Sequence, residues 1–122
     1  IEPRALILAP TKELTLQIAD HAFSLAKYTD LRIQPLYGGV GLKTQGEALQ
    51  KGVDIIVATP GQFMELYLRG DLPVKQIKMF VLDEADRMMD MGFMPQLRKI
   101  FEVIPRKRQN ILFSATFSPR VE

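Results

Sequence analysis

The chain has 122 residues, of which 47% are hydrophobic and 25% charged, with a net charge of +2 and no cysteine. This composition is typical of one soluble globular domain, and the lack of cysteine excludes a disulfide framework and a thiolate metal site. The net charge is too small to indicate a nucleic-acid ligand by itself. No apolar run approaches the ~20 residues of a membrane span, and the chain does not begin with a signal-peptide pattern. We therefore expect an intracellular, cytoplasmic protein with no membrane contact.

Five short apolar runs alternate with helix-like segments along the chain. Strands are predicted at these runs, over residues 5–9, 31–37, 54–59, 79–82 and 111–113. Helices are predicted after Thr11, over residues 42–50, from Pro60 onward, and with Pro95 in a first turn. This alternation is the signature of βα units. We therefore predict an α/β domain, a three-layer parallel sheet with helices on both faces.

Local signals refine several of these elements. Thr11 is a good N-cap residue for the first helix. The apolar stripe of that helix is predicted to comprise Leu14, Ile18, Ala22, Leu25 and Ala26. Pro35 interrupts the second strand and indicates that this strand is peripheral or irregular. The methionines after the fourth strand are interpreted as core filler, and they are Met88, Met89, Met91 and Met94.

The fourth strand ends abruptly in acidic residues. Its apolar run shows no alternation, which indicates a strand buried on both faces. Asp83, Glu84 and Asp86 follow at its carboxyl end, where ligands bind in open α/β sheets. A hydrated Mg²⁺ bound to a nucleotide phosphate would explain carboxylates gathered there. An acidic first turn of the next helix, complementing the helix dipole, would explain them equally well.

Polar and small residues also follow the other strands. These groups are Pro10-Thr11, Gly38-Gly39, Thr59-Pro60-Gly61 and Ser114-Ala115-Thr116. If the sheet is parallel, all of them lie at one edge together with the acidic residues. Three of the groups lead into helices, whose free N–H groups hold phosphates, so this edge would suit the backbone of a nucleic-acid strand bound without regard to sequence. Taken singly, each group is also ordinary turn chemistry.

A nucleotide site at this edge should include a glycine-rich phosphate loop, and the sequence contains no such pattern. The stretch Gly41-Leu42-Lys43-Thr44 comes near G-x-x-x-x-G-K-[ST], but Leu42 stands where the second glycine must be. It also follows the second strand, in the middle of the chain. The sequence therefore predicts half of a nucleotide site, without the half that grips the phosphates.

Five short motifs, in this order, resemble the first RecA-like domain of the DEAD-box RNA helicases. They are Pro10-Thr11-Lys12-Glu13-Leu14 (PTREL in the family), Gly38-Gly39 (GG), Thr59-Pro60-Gly61-Gln62 (TPGR), Asp83-Glu84-Ala85-Asp86 (DEAD) and Ser114-Ala115-Thr116 (SAT). The resemblance covers essentially the whole chain, and each motif falls at a predicted strand end. It implies a truncated RecA-like core of the P-loop NTPase class, with residues 1–122 forming part of the helicase's ATP-binding domain.

The resemblance also implies a role for each matching residue. Asp83 would help to hold the Mg²⁺ of bound ATP through water, and Glu84 would polarise the water that attacks the nucleotide. Asp86 would hydrogen-bond toward Ser114 and Thr116, which would link the nucleotide state to strand separation. The path of single-stranded RNA would be lined by Pro10, Thr11, Lys12, Gly39, Thr59, Pro60, Gly61 and Gln62. ATP would close two RecA-like domains around one RNA strand, bent so that it no longer fits a duplex.

The chain departs from the family pattern at several points. Lys12 and Gln62 each stand where the pattern has arginine, which removes a planar guanidinium at both places. Thr15 replaces the usual alanine, which we interpret as a matter of packing. The family's Q motif, its phosphate-binding loop and its second domain are not found in the sequence, which begins at Ile1 without methionine. We therefore expect a piece of a longer ATP-dependent RNA helicase that by itself neither hydrolyses ATP nor unwinds RNA.

Two other classes of protein fit parts of the pattern. A phosphoacceptor receiver domain has a similar length and fold, but it needs an acidic pair after the first strand, where Ala9-Pro10-Thr11 stands. It also needs a lysine after the last strand, where Thr116-Phe117-Ser118 stands. A non-enzymatic RNA-binding or protein-docking module would have no chemical need for both Asp83 and Glu84. The sequence does not indicate the physiological RNA, the protein partners or the oligomeric state.

Overall fold

A computed structural model describes residues 2–38 and 41–113 of the chain. Five strands alternate with helices along this part of the chain. The elements are β1 (Ala5–Leu8), α1 (Lys12–Leu25), β2 (Ile33–Leu36), α2 (Leu42–Gln50), β3 (Ile55–Ala58), α3 (Pro60–Leu68), β4 (Met79–Leu82), α4 (Ala85–Asp90), α5 (Met94–Val103) and β5 (Gln109–Leu112). None of the helices in the described ranges is long and apolar enough to cross a membrane.

The five strands form one sheet in the order β2-β3-β1-β4-β5. Every neighbouring pair is parallel, which confirms the predicted parallel sheet. Its centre is β1, the strand that precedes Pro10. The second strand is peripheral, one of the two predicted alternatives, because β2 lies at one edge of the sheet formed by the described residues and Pro35 pairs there with β3 alone.

Helices cover both faces of the sheet, as predicted for three layers. On one face, α3 and α5 pack on β1, β3 and β4 in the larger apolar core. Its fully buried side chains include Leu6, Leu8, Ile56, Phe63, Leu66, Phe80, Leu97 and Ile100. On the other face, α1 packs through Ala19 against Ile33 and Val57. Strands that contact helices on both faces are apolar at successive positions, which explains why the central runs show no alternation.

Two details of the predicted packing are wrong. In α1 the predicted residues Ile18, Ala22 and Ala26 do pack against the core on this face. The buried residues of the helix, however, are Thr15 and Ala19, and Leu25 is 76% exposed. A threonine is buried there because its hydroxyl donates to the backbone carbonyl of Thr11 at 2.9 Å. The methionines are not all core residues, since Met88 is buried but Met89 and Met91 are about half exposed. The reason is that α4 has six residues and turns one face toward the sheet.

A buried carboxylate ties together the amino ends of three strands. Asp54 precedes β3 and is 7% exposed. It accepts hydrogen bonds from the backbone N–H of Arg32, at 2.8 Å, and from the guanidinium of Arg4, at 3.1 Å. Because Arg32 precedes β2 and Arg4 precedes β1, this carboxylate fixes the three chain segments at the end of the sheet away from the predicted site.

Candidate functional site

The residues that follow the five strands form a row along the carboxyl edge of the sheet. In the order of the strands they are Tyr37, Thr59, Ala9, Asp83 and Phe113, as the strand register requires. The backbone ladder continues into this row through hydrogen bonds from Thr59 to Leu36 (3.3 Å), Ala9 to Ala58 (3.0 Å), Asp83 to Leu8 (3.0 Å) and Phe113 to Leu82 (2.8 Å). The fold therefore brings the described motif residues to one edge.

Asp83 is a half-buried carboxylate at the end of β4. Burial raises the pKa of the Asp83 carboxyl above its ordinary value, and the negative charge of Glu84 raises it further, while a backbone hydrogen bond from Glu84 lowers it in part. An upward shift means that the ionised form lacks a compensating positive charge. A cation bound here would supply that charge.

The donor set at Asp83 fits Mg²⁺. Among the described residues, no three acidic, histidine or cysteine side chains converge closely enough to hold a metal ion. Magnesium does not require such a cluster, because it keeps several waters and binds through one or two carboxylates together with substrate phosphates. Asp83 is therefore the residue of this edge that would hold Mg²⁺. Asp86 follows three residues later in the chain, half-buried in the first turn of α4.

Glu84 has an unusual backbone conformation. Its φ of 54° and ψ of 52° lie in the left-handed region, and within residues 2–38 and 41–113 it is the one non-glycine residue with positive φ. Glutamate in this conformation costs about 1–2 kcal/mol, and such strain clusters at functional sites. The backbone N–H of Ala85 donates to the carbonyl of Phe113 at 2.9 Å, so the end of β5 helps to hold the turn in place.

The Glu84 side chain lies in a cavity shared with the start of α1. The cavity has a volume of about 330 Å³ and is lined by Thr11, Glu13, Leu14, Gln17, Glu84 and Arg87. Glu84 is 24% exposed, and its carboxylate lies 3.4 Å from the guanidinium of Arg87. Thr11 is the N-cap of α1, as predicted, and its hydroxyl accepts from the backbone N–H of Leu14 at 3.1 Å. The acidic turn and the first motif thus adjoin one another.

The other predicted residues differ in how much of them reaches the surface. Lys12 is exposed, Thr59 and Gly61 are half-buried, and Pro10, Pro60 and Gln62 are buried. A methyl group placed on Gly61 would meet no atom within 4 Å, so the start of α3 is open to an approaching ligand. Gly39, Ser114 and Thr116 lie outside the described residues.

Three residues that sequence reasoning missed join the site. Arg87 forms the ion pair with Glu84. Tyr37 lies under Lys12, with 5.3 Å between the ammonium nitrogen and the ring centroid. Gln45 makes two hydrogen bonds to the backbone of Tyr37. Arg87 could have been found from its spacing, three residues after Glu84 on a helix, but no local signal connects Tyr37 with Gln45 or Lys12.

The parallel sheet and the acidic turn at its carboxyl edge define a RecA-like α/β domain. The family model described as DEAD/DEAH box helicase matches residues 1–122, and the chain belongs to that family. A receiver domain is therefore excluded.

Named relatives agree with this assignment. The chain is 50% identical to the ATP-dependent RNA helicase RhlB of Pseudomonas putida, covering 98% of this chain and 31% of that protein. It is 49% identical to DEAD-box ATP-dependent RNA helicase 52A of Oryza sativa subsp. japonica, over 99% of this chain and 21% of the relative. Among solved structures it is similar to the yeast DEAD-box splicing factor Prp28, with a TM-score of 0.90 and 36% identity over 98% of this chain and 30% of the other. The chain thus spans about a third or less of these proteins.

Proposed function

We propose that this chain is part of an ATP-dependent RNA helicase that couples ATP binding and hydrolysis to RNA binding and local duplex unwinding. Residues 1–122 would form part of the first RecA-like domain, and the parent protein would supply the phosphate-binding loop and the second RecA-like domain. The observation that carries the proposal is the strained Glu84, which shares a cavity with Thr11 at the carboxyl edge. The names of the relatives, as ATP-dependent RNA helicases, support the same reaction.

ATP and Mg²⁺ would supply the transferable phosphoryl group and the positive charge that such a transfer requires. Asp83 would hold Mg²⁺ through water, because burial and the charge of Glu84 leave its ionised form without a compensating positive charge. Glu84 would orient a water molecule and accept its proton as the water oxygen bonds to the γ-phosphorus and the bond to ADP breaks. The left-handed backbone of Glu84 would fix the direction of its carboxylate before the substrate arrives.

The second part of the proposal concerns coupling between nucleotide and RNA. Asp86 would hydrogen-bond toward Ser114 and Thr116, so that a change at the nucleotide reaches the segment after β5. The hydrogen bond from Ala85 to Phe113 supports this route, because it already joins the acidic turn to the residue before Ser114.

The third part concerns RNA. A single strand would pass along the carboxyl edge and contact Pro10, Thr11, Lys12, Gly39, Thr59, Pro60, Gly61 and Gln62. The exposed ammonium of Lys12 and the open start of α3 at Gly61 support this path, because cations and helix N-termini both hold phosphates. The buried members, such as Pro10 and Gln62, would contribute by shaping the backbone that faces the strand.

Strand release by the full-length parent protein tests the proposal. With a short RNA duplex carrying one fluorescent strand, we expect release that requires ATP and stops when a non-hydrolysable ATP analogue replaces it. Residues 1–122 alone are expected to release no strand and hydrolyse no ATP, because their sequence holds no phosphate-loop pattern. RNA binding by the parent without any RNA-dependent ATP hydrolysis would instead favour a binding or docking module.

A further inference from the structure

Gln45 holds the backbone of the residue that leaves β2. Its side chain is 4% exposed. Its amide oxygen accepts from the N–H of Tyr37 at 3.2 Å, and its amide nitrogen donates to the carbonyl of the same residue at 3.0 Å. One buried side chain thus satisfies both backbone groups, as a neighbouring strand would. Because the oxygen and the nitrogen of this buried amide both bond to Tyr37, Gln45 holds the backbone of Tyr37 at the carboxyl edge.

The Tyr37 ring in turn contacts Lys12, an exposed cation of the site. The Lys12 ammonium lies 5.3 Å from the ring centroid, within the range of a cation–π interaction. Lys12 is the first residue of α1, where a positive charge is disfavoured by the helix dipole. It forms no ion pair with any described residue. A lysine at this place therefore contributes little to the helix, and a ligand with negative charge explains it better.

An aromatic ring and a carboxylate hold an ammonium group in different ways. A carboxylate partner would neutralise the ammonium and compete with phosphate for it, whereas an aromatic face leaves the charge and the donor hydrogens available. Lysine also has a long side chain that loses much rotamer freedom when it binds. Contact with a fixed ring removes part of that freedom beforehand, so less is lost when phosphate arrives.

We propose that Tyr37 is a positioning residue for RNA: its ring holds the Lys12 ammonium where the phosphate backbone passes, and Gln45 holds Tyr37. This inference rests on the proposed function, since it needs an RNA strand at the carboxyl edge. It assigns Tyr37 no contact with ATP and no part in the chemical step.

A double-mutant cycle in the full-length parent tests the coupling. The variants are Lys12→Met, Tyr37→Leu and the two combined, with affinity for a fluorescent single-stranded RNA measured by anisotropy in the presence of a non-hydrolysable ATP analogue. Tyr37→Leu is expected to weaken binding about two- to fivefold. The double variant is expected to bind like Lys12→Met, because the ring acts through the lysine. Lys12→Met should also reduce the slope of log affinity against log salt by about 0.7.

Conservative variants separate positioning from folding. Tyr37→Phe keeps the ring and is expected to restore the affinity that Tyr37→Leu loses. Tyr37→Trp is expected to bind RNA at least as tightly as the unsubstituted full-length protein. In RNA-stimulated ATP hydrolysis, Tyr37→Leu should raise the KM for RNA and leave kcat at saturating RNA within about twofold. A general structural defect would lower both kcat and affinity, and Tyr37→Phe would not rescue it.

The outcomes distinguish this inference from the proposed function. If Lys12→Met weakens RNA binding and Tyr37→Leu does not, the positioning role is wrong and the RNA edge stands. Additive losses in the double variant would also overturn it, because Tyr37 would then act independently of Lys12. If Lys12→Met leaves both affinity and salt dependence unchanged, the proposed RNA path at this position fails, and the positioning role fails with it.

Discussion

The left-handed backbone conformation of Glu84 leads to a prediction about stability that does not follow from its side-chain contacts. Two replacements, Glu84→Gly and Glu84→Ala, both remove the carboxylate and its 3.4 Å ion pair with Arg87. They differ by one methyl group, whose cost depends on the backbone conformation. At an ordinary helical position glycine is less stable than alanine by about 0.5–1 kcal/mol. At φ 54° alanine carries a strain of about 1–2 kcal/mol that glycine avoids, so Glu84→Gly should be the more stable by about 1 kcal/mol.

Arg87 supplies the matched control for this comparison. It lies within α4 and takes part in the same ion pair. The pair Arg87→Gly and Arg87→Ala should therefore show the ordinary order, with glycine less stable by about 1 kcal/mol. Opposite signs at two positions three residues apart would isolate the backbone conformation as the cause.

Native-state hydrogen exchange in the full-length parent measures both pairs. The slowest amides of β1 and β4 report the unfolding of this domain by itself, separately from the rest of the parent. If Glu84→Gly is equal to or less stable than Glu84→Ala, then Glu84 is not strained, and a strained backbone does not fix its carboxylate before the substrate binds. Both variants are expected to lose RNA-stimulated ATP hydrolysis.

Two further substitutions test the open start of α3 and the buried carboxylate at the far end of the sheet. Gly61→Ala adds a methyl group to open space in a helix. It should stabilise the domain by about 0.5–1 kcal/mol in hydrogen exchange and weaken RNA binding measured by anisotropy. Unchanged RNA affinity would show that Gly61 does not lie on the RNA path. Asp54→Ala leaves the N–H of Arg32 without its acceptor and removes the contact to Arg4. It should destabilise the domain by about 1–3 kcal/mol in the same exchange experiment, and a loss below about 0.5 kcal/mol would contradict the bridging role.

The fold was predictable in the segments whose burial requires apolar residues. The apolar runs of β1, β3 and β4 lie between two layers of helices, so their composition directly reflects their position. The prediction was less accurate at the edge: β5 is Gln109–Leu112, two residues earlier than the start predicted for it, because an exposed edge strand does not need to begin with apolar residues. The predicted stripe of α1 wrongly included the exposed Leu25 and omitted Thr15, which is buried through a hydrogen bond that its residue type does not reveal.

The site was predictable in location more than in conformation. Parallel strands place their carboxyl ends at one edge, so the positions of Thr11, Thr59 and Asp83 followed from the strand assignments. The left-handed turn at Glu84 did not, because glutamate has no preference for it and the contact between Ala85 and Phe113 is tertiary. The hydrogen bonds between Gln45 and the backbone of Tyr37 could not be predicted from the sequence for the same reason, because they are tertiary contacts.

In the proposed function, Glu84 acts in the chemical step. Single-turnover hydrolysis of pre-bound ATP by the full-length parent, at saturating RNA, tests it most directly with Glu84→Gln. The exposed glutamate of α5 provides the control variant Glu102→Gln. We predict that Glu84→Gln slows hydrolysis by at least about 100-fold while ATP and RNA still bind. The Glu102→Gln variant is expected to hydrolyse ATP at the rate of the unsubstituted full-length protein. Hydrolysis by Glu84→Gln within a few-fold of the rate of the unsubstituted protein would contradict a role for Glu84 in the chemical step.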